Sequence, residues 1–482
     1  MPSHQMSSSL SVIQQTLTDR LQGYSTHALI IACSGGVDSI VLLHEISALV
    51  NIQKITNEVT VCYVDHGLSD NAKTWHNFVK TQCEQLGLVF IGKQVHLNKE
   101  ANQSLEAQAR NARYNALKEV SGENGVVITA HHQDDQVETF LLALKRGAGI
   151  KGLGAMASYT TLHTARGKLA IVRPLLAVSR QEIEKRAQQL KLTWIEDESN
   201  TDQQFDRNFL RQAVVPLLSQ RWSGINKAVA RTAGHCQDAQ QLLDEVASAD
   251  LQQCLTATNG LSISQLLSLS ASRFNYVIRY YLEQEKQLMP SSHVLTELRQ
   301  QLFSSQDKTP QVKVGTKWLR RYQETLMLTD NFADISAFKQ RINLSDITLK
   351  SISLVLPDSL GRLVFSLARD KQDELAVDVD NSLLLPQDTT ELIVTFNHSN
   401  PVCLPDFRQH SRALKKVLQE LNIPPWQRKR TPLVFCSEPA KNDQLVSAVG
   451  HFVCQPYSPQ YSSGLVNAIK VNVRWLASDN SG

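Results

Sequence analysis

Between Ala28 and Ile195, short runs of apolar residues alternate with stretches whose apolar positions recur every three to four residues. The runs Ala28–Cys33, Val59–Val64, Leu88–Leu97, Val126–Ala130 and Ala170–Val172 read as strands. Ile40–Leu49, Ala72–Leu86, Leu105–Glu119 and Val137–Lys145 read as amphipathic helices. This rhythm predicts an α/β fold with a doubly wound, Rossmann-like parallel sheet, whose ligands bind beyond the carboxyl ends of the strands. From about Val214 to Ser304 the pattern turns helical, with Gln- and Leu-rich stretches such as Ala239–Cys254 and Arg273–Leu288, closed by a hairpin within Gln311–Thr329. After about Asn343 it becomes strand-rich (Leu354–Leu356, Arg362–Ser366, Glu391–Asn397), with one basic helix near Ser411–Leu421. Three domains are expected: α/β over 1–213, mainly helical over 214–342, and a small α+β domain over 343–482.

Composition narrows this little. With 42% hydrophobic and 20% charged residues the chain is globular in type, and a net charge of +3 identifies no polyanion partner by itself. The eight cysteines include no C-x-x-C pair, which argues against a zinc ribbon, a thioredoxin-type motif or a disulfide framework. The first 22 residues are mostly polar, and no stretch approaches the ~18 uninterrupted apolar residues of a membrane span. A cytoplasmic protein without membrane association is expected, and a homodimer is compatible with all of this.

Candidate chemistry is concentrated after the strands. Ser34-Gly35-Gly36-Val37-Asp38-Ser39 follows the first strand and opens the next helix. Two glycines let several N–H groups and a helix N-terminus face one phosphate group, and the serines add hydroxyls. An aspartate in such an anion site suits a bridging cation, so magnesium-bound ATP is implied, with Asp38 near the metal. The loop lacks the lysine of a Walker A motif, which favours AMP transfer over γ-phosphoryl transfer. Two other glycine patterns fail on context: Gly87 to Lys93 encloses an apolar strand, and Gly147 to Gly152 follows a helix.

Asp65-His66-Gly67-Leu68 follows the second strand, where an aspartate-capped turn is the plain reading. Glu106, Arg110 and Arg113 fall on one helical face, with Arg113 favoured over Arg110 as a phosphate clamp. In His131-His132-Gln133-Asp134-Asp135-Gln136-Val137-Glu138, Asp135 and Glu138 are i, i+3 neighbours able to bind an ammonium or deprotonate an amine. Ser179 and Glu182 form a capping-box pattern, and Arg207 and Arg211 stand at i, i+4.

In order across residues 34–211, S-G-G-V-D-S, D-H-G-L, E-A-x-A-R-x-A-R-Y, H-H-x-D-D-Q-x-E-T, R-G-A-G-I-K-G-L, R-P-L-L, W-x-E-D-x-S-N and R-N-x-x-R resemble the tRNA(Ile)-lysidine synthetases, within the PP-loop ATP pyrophosphatases. Phe407-Arg408, Leu414-Lys415-Lys416 and Ile423 to Pro432 are similar to the C-terminal domain of longer, bacterial-type members. The resemblance implies that ATP adenylates the C2 oxygen of the wobble cytidine in tRNA(Ile) with a CAU anticodon, and that the ε-amine of free L-lysine displaces AMP. It further implies that Ser34 to Ser39 grip pyrophosphate, Arg113 steadies the adenylate, Asp135 and Glu138 orient lysine, and Arg207 supports the transferred charge. Arg408, Arg412, Lys415, Lys416, Arg428, Lys429 and Arg430 would contact the acceptor stem, with Arg412, Lys415 and Lys416 on one helical face. The rival readings are a PP-loop tRNA thiolase, for which the cysteine spacing is wrong, and a non-catalytic RNA-binding protein switched by ATP.

Overall fold

A computed structural model describes residues 10–67, 71–97, 105–198, 202–303, 311–367, 380–437, 443–461 and 468–477. Leu68, Ser199 and Asn200 of the motifs above, and the side chain of Glu106, lie outside the described part. The chain divides into two compact units, Met1–Val246 and Ala247–Gly482.

The first unit opens with α1 (Val12–Leu21) and then alternates β1 (Ala28–Ala32), α2 (Val37–Asn51), β2 (Val59–Asp65), α3 (Ala72–Leu86), β3 (Val89–Gln94), α4 (Leu105–Ser121), β4 (Gly125–Ile128) and α5 (Gln133–Lys145). It continues through α6 (Ile150–Leu153), β5 (Tyr159–Thr164), β6 (Gly167–Val172), α7 (Arg180–Gln189), α8 (Asp206–Phe209), a π-helical turn at Leu210–Val214, α9 (Val215–Arg221) and α10 (Ile225–Cys254), whose last eight residues belong to the second unit. The sheet order is β3-β2-β1-β4-β6-β5, parallel except for β5.

Both faces of β1 are covered. Leu29 and Ile31 pack with Ile40, Leu43 and Val61 on one side, while Ile30 packs with Leu117, Val127 and Ile171 on the other. That is why the strand carries no polar alternation. The chain leaves β1 toward β2 and returns to β1's other side with β4, so the loops after β1 and β4 emerge side by side, at the position where doubly wound sheets bind ligands. The added strand β5, with a burial pattern alternating between exposed and partly buried, pairs antiparallel at the sheet edge. Its polar sequence, Tyr-Thr-Thr-Leu-His-Thr, gave no apolar run to read.

In the second unit, β7 (Leu261–Ser262), α11 (Ile263–Ser268), α12 (Ala271–Gln284), α13 (Ser292–Phe303), β8 (Gln311–Val314), β9 (Lys317–Tyr322) and β10 (Thr325–Thr329) share one core around Phe274, Leu298 and Leu319. The expected hairpin is a three-stranded meander, which β7 extends to the order β7-β10-β9-β8. A separate core around Phe365, Leu392 and Val446 joins two antiparallel sheets. The first holds β11 (Lys339–Asn343), β15 (Glu391–Thr395), β18 (Leu433–Ser437), β19 (Gln444–Ala448) and β20 (Phe452–Val453); the second holds β12 (Ile352–Val355), β13 (Arg362–Leu367), β21 (Ile469–Leu476) and β14 (Asp380–Leu385). The short helices α14 (Leu344–Leu349), α15 (Leu414–Glu420) and α16 (Pro425–Arg428) complete the α+β region. The basic helix is shorter than expected, because β17 (Arg412–Ala413) pairs with β16 (Val402–Cys403) before α15 begins. Arg412 therefore stands outside the helix and does not share its face with Lys415 and Lys416.

Candidate active site

The loop between β1 and α2 is held by its own polar groups. Ser39 Oγ accepts from the Gly35 N–H at 3.1 Å and donates to the Gly36 carbonyl at 2.9 Å. Gly35 has φ +91°, and a Cβ there would stand 2.5 Å from Ile195 Cδ1. The Ile195 N–H in turn donates to the Gly35 carbonyl at 2.9 Å. Only glycine meets both the torsion and the close approach, and the result is a turn that aims α2's N-terminus, beginning at Val37, outward from the sheet.

Asp38 lies in the first turn of α2. Arg180 Nη1 donates to its Oδ2 at 2.5 Å, whereas Oδ1 is buried with no hydrogen-bond partner among the described residues, 3.6 Å from His132 Nε2. Burial raises the Asp38 carboxyl above the usual carboxylate range, against the opposing charges of His132 and Arg180. His132, buried at the N-terminus of α5, also faces Asp135 Oδ2 at 3.4 Å and Asp134 Oδ1 at 3.9 Å. It is the hub that links the two loops.

Asp135 Oδ2 accepts from the His132 N–H at 3.0 Å, so this carboxylate caps α5. Burial pushes Asp135 up, but the charges of His132, His131 and Arg207 outweigh it and leave the carboxyl below its ordinary value. Glu138 is 1% exposed. Arg207 Nε donates to its Oε2 at 2.7 Å, and Arg211 donates from Nε to Oε1 at 2.7 Å and from Nη2 to Oε2 at 3.1 Å. Arg211 Nη2 also reaches Asp135 Oδ1 at 3.2 Å. Two carboxylates and two guanidiniums thus form a charge-balanced box. Arg207 lies in α8 and Arg211 in the π-helical turn that follows directly on it, a distortion common at functional sites.

The structure therefore gathers the Ser34–Ser39 loop, Asp38, Asp135, Glu138 and Arg207 at one end of the sheet. Arg113 sits apart in its contacts, donating to His66 Nε2 from Nε at 3.2 Å, while Arg110 stacks over Tyr114 with its guanidinium carbon 5.1 Å from the ring centre. Burial, then the charge of Arg113, lowers His66 to about 4. Asp65 Oδ1 accepts from the Gly67 N–H at 2.7 Å, the capped turn read from the sequence. Burial and the nearby Arg173 help to bring His131 down to about 4, so both imidazoles are neutral at pH 7.

Sequence reasoning missed Arg180 and the linking role of His132. Arg180 is the residue after the Ser179 cap, whose box with Glu182 is present. Its partner lies 142 positions away, and no local spacing signals such a pair.

In the second unit, four of the seven basic residues assigned to RNA are engaged within the protein. Arg408 pairs with Glu420, as does Arg412 at 2.8 Å; Arg428 Nε donates to the Ile423 carbonyl at 2.6 Å; Arg430 pairs with Asp358. Lys415, Lys416 and Lys429 are exposed. They are the better candidates for phosphate contact.

Comparison with known proteins adds three family matches: a PP-loop domain over residues 8–218, a TilS substrate binding domain over 261–327 and a TilS substrate C-terminal domain over 392–467. The tRNA(Ile)-lysidine synthase of Histophilus somni (strain 129Pt) is 37% identical, covering 91% of this chain and 98% of its own length. That of Serratia proteamaculans (strain 568) is 39% identical over 89% of this chain and 92% of its own. Among solved structures, the U34-tRNA thiolase NcsA from Methanococcus maripaludis is similar at 16% identity, with a TM-score of 0.39 over 46% of this chain and 76% of its own. A TilS C-terminal domain matches at 14% identity and a TM-score of 0.22 over 29% of this chain and 98% of its own.

Proposed function

The chain belongs to the tRNA(Ile)-lysidine synthase family, and on that premise we propose how its residues divide the work of ligating lysine to the wobble cytidine. It is an enzyme that binds ATP through its PP-loop domain and acts on tRNA. The reaction transfers AMP from ATP to the cytidine C2 oxygen with loss of pyrophosphate; the lysine ε-amine then attacks C2, a C–N bond forms, and AMP leaves with the oxygen. The released protons pass to neighbouring carboxylates or water.

The Gly35 N–H is taken by Ser39, so the N–H groups from Gly36 onward and the N-terminus of α2 hold the phosphate tail. Asp38 fits a magnesium ion, because its Oδ1 is buried and has no hydrogen-bond partner among the described residues. Among the described residues no cluster of three or more ligating side chains supports an all-protein site, which suits an ion held by one carboxylate together with phosphates. When bound, the ion would offset charge on pyrophosphate. Arg113 steadies the adenylate.

Free L-lysine brings its ammonium to Asp135 and Glu138 and displaces one guanidinium from the charge-balanced box. Arg207, which gives Glu138 one hydrogen bond where Arg211 gives it two and Asp135 a third, is the one released toward the cytidine, where it balances charge on the activated base. The single observation that carries this reading is the double clamp on Glu138 at the same end of the sheet as Asp38: the carboxylate that the guanidiniums hold and the phosphate loop follow the adjacent strands β4 and β1. No helix among the described residues is long and apolar enough to cross a membrane; a cytoplasmic location and a homodimer are part of the proposal.

Incubation of the protein with labelled lysine, ATP and tRNA, followed by nucleoside analysis, tests the reading. Label should appear in one cytidine-derived nucleoside, with one AMP formed per lysine attached. Sulfur incorporation, or an RNA of unchanged mass, would refute it.

A further inference from the structure

We propose that Phe205 and Phe209 form a stacking platform for unpaired bases of the tRNA anticodon loop beside the wobble position. The inference rests on the function proposed above and names how the same site engages its RNA. Phe205 and Phe209 are four residues apart and joined by the Phe209 N–H donating to the Phe205 carbonyl at 3.0 Å, so they occupy one face of the α8 segment. Arg207 and Arg211 are also four apart, but displaced by two positions and hence by about 200° around the axis. Their guanidiniums turn inward onto Glu138. The rings are consequently left in solvent, 54% and 45% exposed.

A single exposed phenylalanine needs no explanation, but two on one face of a segment whose other face completes the active site call for an occupant. Charge identifies it. Lys145 at the end of α5 holds the Asp206 carboxylate at 2.7 and 2.8 Å, which fixes that end of α5, with exposed Arg146 next in sequence, against the start of α8. Arg207 and Arg211, about two-fifths exposed, face away from the rings onto Glu138, which leaves exposed Arg146 as the cation on the rings' side. Aromatic faces beside an exposed guanidinium match single-stranded RNA, whose splayed bases stack on rings while a phosphate meets the cation. A duplex keeps its base faces covered; an anticodon loop does not.

The test uses the full chain and an anticodon stem-loop RNA carrying 2-aminopurine on either side of the wobble cytidine. Binding to the wild-type protein should quench the probe. The double variant Phe205→Leu, Phe209→Leu keeps an apolar surface but removes the rings. It should lose the quench and weaken RNA binding by roughly 10- to 100-fold, with ATP affinity unchanged, and Phe209→Tyr should retain both. Circular dichroism checks that the variants are folded, and the wild-type quench does not depend on any variant. Absence of quenching by the wild type, or an unchanged quench and Kd in the double variant, overturns the proposal. So does a concentration-dependent dimer that the double variant abolishes, since the rings would then serve a second copy of the chain. Failure to attach lysine would instead count against the proposed function, because the stacking measurement reads binding alone.

Discussion

Replacing Glu138 with glutamine keeps the size of the side chain and removes its charge. The carboxylate accepts three hydrogen bonds from Arg207 and Arg211, at 2.7, 2.7 and 3.1 Å, while only 1% exposed. Breaking a fully buried ion pair costs about 3–5 kcal/mol. Here the arginines are 42% and 41% exposed and regain hydration, which reduces the cost to about 2 kcal/mol. At roughly 2–4 °C per kcal/mol for a domain of this size, the unfolding transition of the first unit should fall by about 4–8 °C. Losing a charged hydrogen bond to a lysine ammonium costs about 1.5–3 kcal/mol, so KM for lysine should rise by roughly 10- to 150-fold. Calorimetry and lysine-titrated ligation assays read the two effects separately. A lowered Tm with an unchanged KM for lysine would make Glu138 an anchor for the arginines and nothing more. An unchanged Tm would refute the packing argument itself.

Three further outcomes follow from the geometry. Gly35→Ala must place a Cβ at φ +91° and 2.5 Å from Ile195, a strain of about 1–3 kcal/mol; KM for ATP should rise, and Ile195→Ala should restore it only in part, because the torsional strain persists. His66 and His131 titrate near 4 when folded, below the ordinary histidine value of about 6.5, so the unfolded chain binds more protons between those limits. Their contribution to stability is therefore fully present above about pH 6.5 and is lost as pH falls toward 4; urea midpoints of wild type and His131→Asn should converge on acidification. Reversing charge at Lys415 and Lys416 should weaken tRNA binding and reduce the slope of log K against log salt by roughly 1.5–2, whereas an unchanged slope would remove α15 from the RNA-facing surface.

The phosphate loop and the sheet that presents it were legible in the chain because both are local. An apolar strand, two glycines and a helix start lie within a dozen residues, and burial on both faces writes itself as an uninterrupted run such as Ala28–Cys33. The pairing of Asp135 with Glu138 on one face followed from helical spacing, as did the Ser179–Glu182 cap. What those carboxylates touch was not written there. Arg211 meets Glu138 across 73 positions and Arg180 meets Asp38 across 142, because β4 enters the sheet beside β1, β6 enters beside β4, and each carries its following loop with it. The same limit accounts for the basic residues of the second unit: Arg408, Arg412 and Arg430 look free in sequence, yet Glu420 and Asp358 claim them in the fold. Residue type and periodicity determined which groups this protein has and which element each rides on. Only tertiary structure decided which charges are already neutralised, since that depends on strand order and through-space distance.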